Sequence, residues 1–175
     1  MCKVILLATS GKGFDAMSVV KIIEKGDEIL TKKAHKVTDF NNRLALLLDN
    51  MKDTLVDANG AGLAAPQVGI LRRIFVVNDG EKITEYINPE LILETGEQEC
   101  AEGCLSVPGV YGVTKRPALV RLKAQDRHGK YFEDEGTGLV AQAFSHENDH
   151  LNGILFDTKI IRLLDSDEDD GDKES

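Results

Sequence analysis

The five residues His146-Glu147-Asn148-Asp149-His150 constrain this 175-residue chain more than any other stretch. Residues four apart share one face of a helix, with Cβ atoms about 5–6 Å apart. Two imidazoles at that spacing converge on one metal ion at about 2.0–2.1 Å each. The segment is therefore read as the end of a helix from Gly138 to Leu151, with Thr137 as its cap and Gly153 as its stop. Glu147 follows the first imidazole directly, so it points beside the ion rather than at it. That placement suits a carboxylate that takes a proton from metal-activated water and passes it to a leaving group. The bland alternative is a solvated helix with two chance histidines. The chain has only four histidines, however, and two of them flank a glutamate at ligand spacing.

Catalytic sites of this kind use three protein ligands and keep one position open, so a third donor must come from elsewhere in the fold. The string HENDHLNGILF follows the metzincin pattern as far as Gly153 and then places Phe156 where that pattern has its third histidine. A thermolysin-like site needs a downstream glutamate. The only ones after His150 are Glu168 and Glu174, in an acidic tail, and Asp157 is a weak substitute. The donor is thus expected upstream, where Glu102-Gly103-Cys104-Leu105-Ser106 offers a thiolate, a strong ligand for a borderline metal. A cysteine beside Leu and Val is more often a small buried hydrophobe. Cys100 competes with it, but sits among Gln98, Glu99 and Glu102 without a flanking glycine, and Cys104 is preferred.

The rest of the chain reads as one α+β domain, with short-stranded antiparallel or mixed sheets around a central metal-binding helix. An earlier helix is expected from Asp39 to Asp57, capped by Thr38 or Asp39. Its apolar face is Leu44, Leu47, Leu48, Met51 and Leu55, and Gly60 is its left-handed end. Strand patterns occupy Ile74–Asn78, Lys82–Ile87, Leu91–Glu94 and Leu119–Gln125, separated by turn signals at Asn78-Asp79-Gly80 and Arg127-His128-Gly129. Ile154–Phe156 and Ile160–Leu164 read as short apolar pieces packing the chain end.

Of the formal charge of −9, residues 165–175 carry −6, so the body has no basic stripe to bind nucleic acid. That tail reads as a disordered solvating end, and residues 1–16 as an extension unlike the body of the chain. No apolar run is long enough to span a bilayer. Three cysteines without a framework pattern fit a reducing cytoplasm.

A further segment, Gly60-Ala61-Gly62-Leu63-Ala64-Ala65-Pro66-Gln67-Val68-Gly69, is rich in small residues and lacks the Lys-Ser/Thr of a phosphate loop. Small side chains let an extended peptide come close, and the Gln67 amide can donate to a developing oxyanion. A tight helix-to-strand turn would look similar.

Taken together and in this order, GAGLAAPQ, EGCLS and HENDH resemble the three signature motifs of the peptide deformylases, over about residues 17–164. The resemblance implies an amide hydrolase that removes the formyl group from the N-terminal methionine of new polypeptides. It implies Fe²⁺ held by Cys104, His146 and His150, a site that Zn²⁺, Ni²⁺ or Co²⁺ can also occupy. Glu147 is then the acid–base residue, with the Gln67 amide and Leu105 N–H as oxyanion donors. Gly60, Ala61, Gly62 and Gly103 would line the substrate backbone, and Tyr111, Leu139 and Ala143 an apolar pocket for the methionine side chain. The implied partners are formylated nascent chains near the ribosome, met by a cytoplasmic monomer. One departure is Ser145, where the family carries glutamine before the first histidine, expected to loosen support for His146. Two other classes stay open: a zinc peptidase that has no need of Cys104, and a domain that binds N-termini without turnover.

Overall fold

Strand β2 (Ile74–Asn78) is buried on both faces, and the molecule is layered around it. Its neighbours form an antiparallel sheet in the order β1 (Gly62–Ala64), β2, β3 (Ile83–Thr95), β6 (Leu119–Gln125) and β7 (Tyr131–Thr137). Because side chains alternate across a strand, Ile74 and Val76 face one layer while Phe75 and Val77 face the other. The first layer is helix α1 (Asn42–Asp57), whose Leu44, Leu48, Met51 and Leu55 pack on Leu63, Ile74, Val76 and Ile87. The second is helix α2 (Gly138–Leu151), which sets Ala141, Phe144 and Leu151 against Phe75, Val77, Tyr86, Val120 and Leu122. A second antiparallel sheet of β4 (Gln98–Cys104), β5 (Val107–Arg116) and β8 (Arg162–Leu163) supplies polar partners to α2. Eight of the 14 residues of α2 are buried, as expected of a helix enclosed by protein rather than lying on a surface. This computed structural model describes residues 18–164, an α+β domain, and the extension 1–16 and tail 165–175 lie outside them.

Strands β2 and β6 and helix α2 have the bounds that periodicity predicts. Helix α1 starts later than expected. Its cap is Asn41, whose side chain accepts from the N–H groups of Arg43 and Leu44, while Thr38 bonds only to Asp39. The left-handed residue after it is Asn59 (φ 50°), not Gly60. The expected strands Lys82–Ile87 and Leu91–Glu94 are one element, β3, bent by a register shift between Ile87 and Glu90 at Asn88-Pro89. The last described residues pack less than expected: Leu155 and Phe156 are buried, but Ile161 and Leu163 are exposed. Among the described residues no helix is long and apolar enough to cross a membrane.

Candidate metal centre and active site

Strand alternation on β4 turns Cys100, Glu102 and Cys104 to its inner face, towards α2. After Cys104 the chain reverses through Leu105-Ser106 into β5, and the pairing jumps from Cys104 with Val107 to Gly103 with Tyr111. Pro108, Gly109 and Val110 bulge out between these pairs, with Gly109 in the left-handed region that favours glycine (φ 75°). The hairpin delivers the Cys104 sulfur to α2, 3.3 Å from His150 Nε2. Cys104, His146 and His150 each offer a donor atom within 4.8 Å of the others, the one such group among the described residues. Cys100 is buried, free and not part of it.

The surroundings fit a divalent cation. Burial would push Glu102 up, but the Arg116 fork and the His146 ring hold it down at about 2. Glu102 is therefore ionised, and His146 Nδ1–H must donate to its Oε2 (3.1 Å), leaving Nε2 as the free donor atom. Burial disfavours charge on His146, yet Cys104, Glu102 and Glu147 outweigh it and push the ring up to about 10. Burial, then His146, hold His150 down at about 3. One sulfur and two imidazole nitrogens within reach of one another, with the His146 ring fixed by an ionised carboxylate, form a donor set that would hold a borderline metal cation. Arg116 is 3% exposed and ties the cluster together, donating to Glu102 through Nε (2.6 Å) and Nη2 (2.9 Å) and to Asp149 through Nη1 (2.6 Å). Thr114 adds a bond to Glu102 (2.8 Å).

Glu147 is buried on α2, and its Oε2 has no protein partner. Burial raises its carboxyl to about 7. Gln67 sits in the 3₁₀ turn Ala65–Val68, with its Oε1 accepting from Ala64 N–H at 2.8 Å. That bond aims Nε2 at Ser106 Oγ (3.2 Å) and the Cys104 sulfur (3.7 Å). An open cleft of about 350 Å³ joins these groups. Gly60, Ala61, Gly62, Gln67, Gly103, Cys104, Leu105, Tyr111, Leu139, Ala143, His146 and Glu147 all line it, so every expected site residue except His150 reaches the cleft wall. His150 lies behind them, 1% exposed.

Three glycines play a part that the sequence reading did not anticipate. A Cβ on Gly62 would lie 2.8 Å from the Glu147 Cδ, one on Gly103 2.8 Å from the Tyr111 ring, and one on Gly60 2.8 Å from Leu55. They make room for the protein's own side chains. Ser145 does not support His146: its hydroxyl donates to Ala141 O (3.0 Å), and the ring is held by Glu102 instead. Glu102, Arg116 and Asp149 went unrecognised by sequence reasoning. The only available signal was the i, i+2 spacing of Glu102 and Cys104, which becomes informative once β4 is known to be a strand.

An α+β domain with a Cys-His-His cluster, a buried glutamate beside it and an open cleft defines a metal-dependent hydrolase. The chain belongs to the polypeptide deformylase family, whose profile matches residues 19–165, and it is an enzyme that removes N-formyl groups from peptides. It is 49% identical over 158 residues to the peptide deformylase of Thermoanaerobacter pseudethanolicus, covering 90% of this chain and 99% of that one. With the Heliobacterium modesticaldum peptide deformylase it is 54% identical over 140 residues, 80% and 93% of the two chains. A peptide deformylase crystal structure from Legionella pneumophila superposes with a TM-score of 0.79 at 44% identity, covering 81% of this chain and 86% of that one. A Met-Ala-Ser-bound class I type b peptide deformylase from Acinetobacter baumannii gives 0.78 at 34%, covering 82% and 99%.

Proposed function

We propose that this enzyme acts on the N-terminal formylmethionine of newly made polypeptides and releases formate, with residues 17–164 as its catalytic domain. The observation that carries this reading is the single cleft in which Glu147, Gln67 and the Cys-His-His cluster face an apolar wall of Tyr111, Leu139 and Ala143. The Met-Ala-Ser bound to the Acinetobacter baumannii relative supports methionine as the side chain that wall receives.

Cys104, His146 and His150 are the ligands in this reading, and Fe²⁺ is the proposed metal. A mixed sulfur and nitrogen set also accepts Zn²⁺, Ni²⁺ or Co²⁺. When bound, the ion supplies Lewis acidity, acidifying water and polarising the formyl oxygen. Glu147, with its carboxyl near neutrality, takes a proton from water as the oxygen adds to the formyl carbon. The Gln67 amide, oriented by its bond to Ala64, and the Leu105 N–H donate to the developing oxyanion. As the C–N bond breaks, Glu147 returns the proton to the methionine nitrogen, leaving formate and a free α-amino group. The substrate backbone extends along Gly60–Gly62, which leads into β1 at the edge of the five-stranded sheet, and past Gly103. The enzyme serves N-terminal processing in protein biosynthesis, as a cytoplasmic monomer meeting nascent chains near the ribosome.

Formate release from formyl-Met-Ala-Ser tests the reading. The Fe²⁺- or Ni²⁺-loaded chain is expected to release formate. Glu147→Ala should keep its metal and lose about 10²- to 10⁴-fold in rate. No formate from the loaded chain would overturn the proposed reaction, and full activity in Glu147→Ala the role of Glu147.

A further inference from the structure

After α2 the chain makes a single 3₁₀ turn, Phe156–Lys159, outside all three sequence motifs, and three of its four residues have a contact that leads back to the metal centre. The Phe156 ring, 1% exposed, packs against the His146 ring with centroids 5.9 Å apart. Asp157 is paired with Lys25, whose backbone N–H donates to Ser106 O (2.7 Å) in the hairpin turn after Cys104. Lys159 Nζ donates to both oxygens of Asp149, at 2.7 and 2.8 Å.

From Lys159 an unbroken line of charged hydrogen bonds runs to a proposed ligand: Asp149, Arg116, Glu102, His146. Leaving the His146 ring aside, the two carboxylates of Glu102 and Asp149 face the two cations Arg116 and Lys159, so these four side chains balance only with Lys159 present. Without it, the single buried guanidinium must serve both Glu102 and Asp149, and its pull towards Asp149 strengthens. Glu102 then loses the two-pronged grip that sets its height, and with it the bond that orients His146. Lys159 is 39% exposed in its side chain, where an ordinary ion pair contributes little to stability. Its effect lies in where the buried end of the line sits.

We propose that Lys159 is a positioning residue of the metal centre, acting through Asp149, Arg116 and Glu102 to hold His146 in its ligating pose. The inference rests on Cys104, His146 and His150 being the metal ligands. The test is the rate at which the full-length, Ni²⁺-loaded chain gives up its metal to a chromophoric chelator, alongside thermal unfolding of the same samples. K159M is expected to lose Ni²⁺ about tenfold faster, the lower end of the effect of ligand-supporting partners, and K159R to stay within about twofold of the unaltered chain. K115M is the control: Lys115 on β5 pairs with the exposed Glu97 just before β4, and its loss should change nothing. K159Q gives the same reading if K159M does not fold. Ni²⁺ loss from K159M and K159Q at the unaltered rate, whether or not the melting temperature drops, overturns the inference, as does equal acceleration in K115M. Failure of the unaltered chain to take up one Ni²⁺ removes the ligand assignment and the inference with it. Normal uptake with unchanged loss removes the inference alone.

Discussion

Gly62→Ala separates two roles for the glycine-rich segment. The backbone at Gly62 does not occupy the left-handed region, so alanine adds volume without backbone strain. The added Cβ would stand 2.8 Å from both Cγ and Cδ of Glu147 and in collision with Oε1, against the 3.4 Å at which ordinary contact begins. The carboxyl group must therefore retreat by about 0.6 Å or more, and misplacement by about 1 Å costs on the order of 10²-fold in rate. Between these bounds kcat should fall about 10- to 100-fold, or about 1.4–2.7 kcal/mol of lost transition-state stabilisation. KM should stay near its original value, and bound metal should be unaffected because Glu147 is not a ligand. Steady-state formate release from formyl-Met-Ala-Ser, paired with metal analysis, reads all three. The opposite pattern, KM raised with kcat intact, would show that Gly62 serves the substrate backbone and that the crowding of Glu147 has no catalytic weight.

The same geometry sets other outcomes. Cys104→Ser should leave the fold intact and strip most metal, as seen by metal analysis after gel filtration, since a serine hydroxyl is a far weaker ligand than a thiolate. Because a protonated Glu147 cannot accept a proton, and burial raises its carboxyl to about 7, kcat/KM should rise with pH along an acid limb at or below that value. A rate independent of pH between 5 and 8 would refute this. Glu102 is held at about 2, below its ordinary 4.5, so its ionised form adds stability above pH 4.5 that is lost as pH falls towards 2. Glu102→Gln should cost about 3–5 kcal/mol at pH 7 by leaving Arg116 buried beside a neutral group, and the gap in urea unfolding should narrow by pH 3. Asn41→Ala should cost about 1 kcal/mol in helix capping, while Asp39→Ala should cost almost nothing.

The parts of the fold that announce themselves in the sequence are those whose own residues carry a period. Leu44, Leu48, Met51 and Leu55 recur at helical steps because one layer covers one face of α1, and β2 and β6 are apolar enough to mark their own limits. Strands β4, β5 and β7 are hidden for a physical reason. Strand β4 buries a glutamate, β5 contains two glycines and a proline, and β7 carries three acidic residues in seven, so none looks like a half-buried strand. Their polar residues are satisfied by partners distant in sequence, namely Arg116 and His146 for Glu102 on β4, and Tyr86 for Asp134 on β7.

The site divides along the same line. Residues that meet a metal or a proton must be of a few chemical types at set spacings, so the proposed Cys104, His146, Glu147, His150 and Gln67 can be named before any fold is known. Residues that hold them in place are chosen by what three-dimensional packing brings near. Arg116 looks like any strand arginine until β5 sets it between Glu102 and Asp149 with 3% of its side chain exposed. A charge that deep persists only because both carboxylates meet it, and removing either strands the rest. That makes the buried line of charges a stringent condition on folding as well as on catalysis. Glu102, Arg116 and Asp149 join the hairpin bearing Cys104 to the helix bearing His146, so an interaction that docks the two elements also helps set the distance between two proposed ligands.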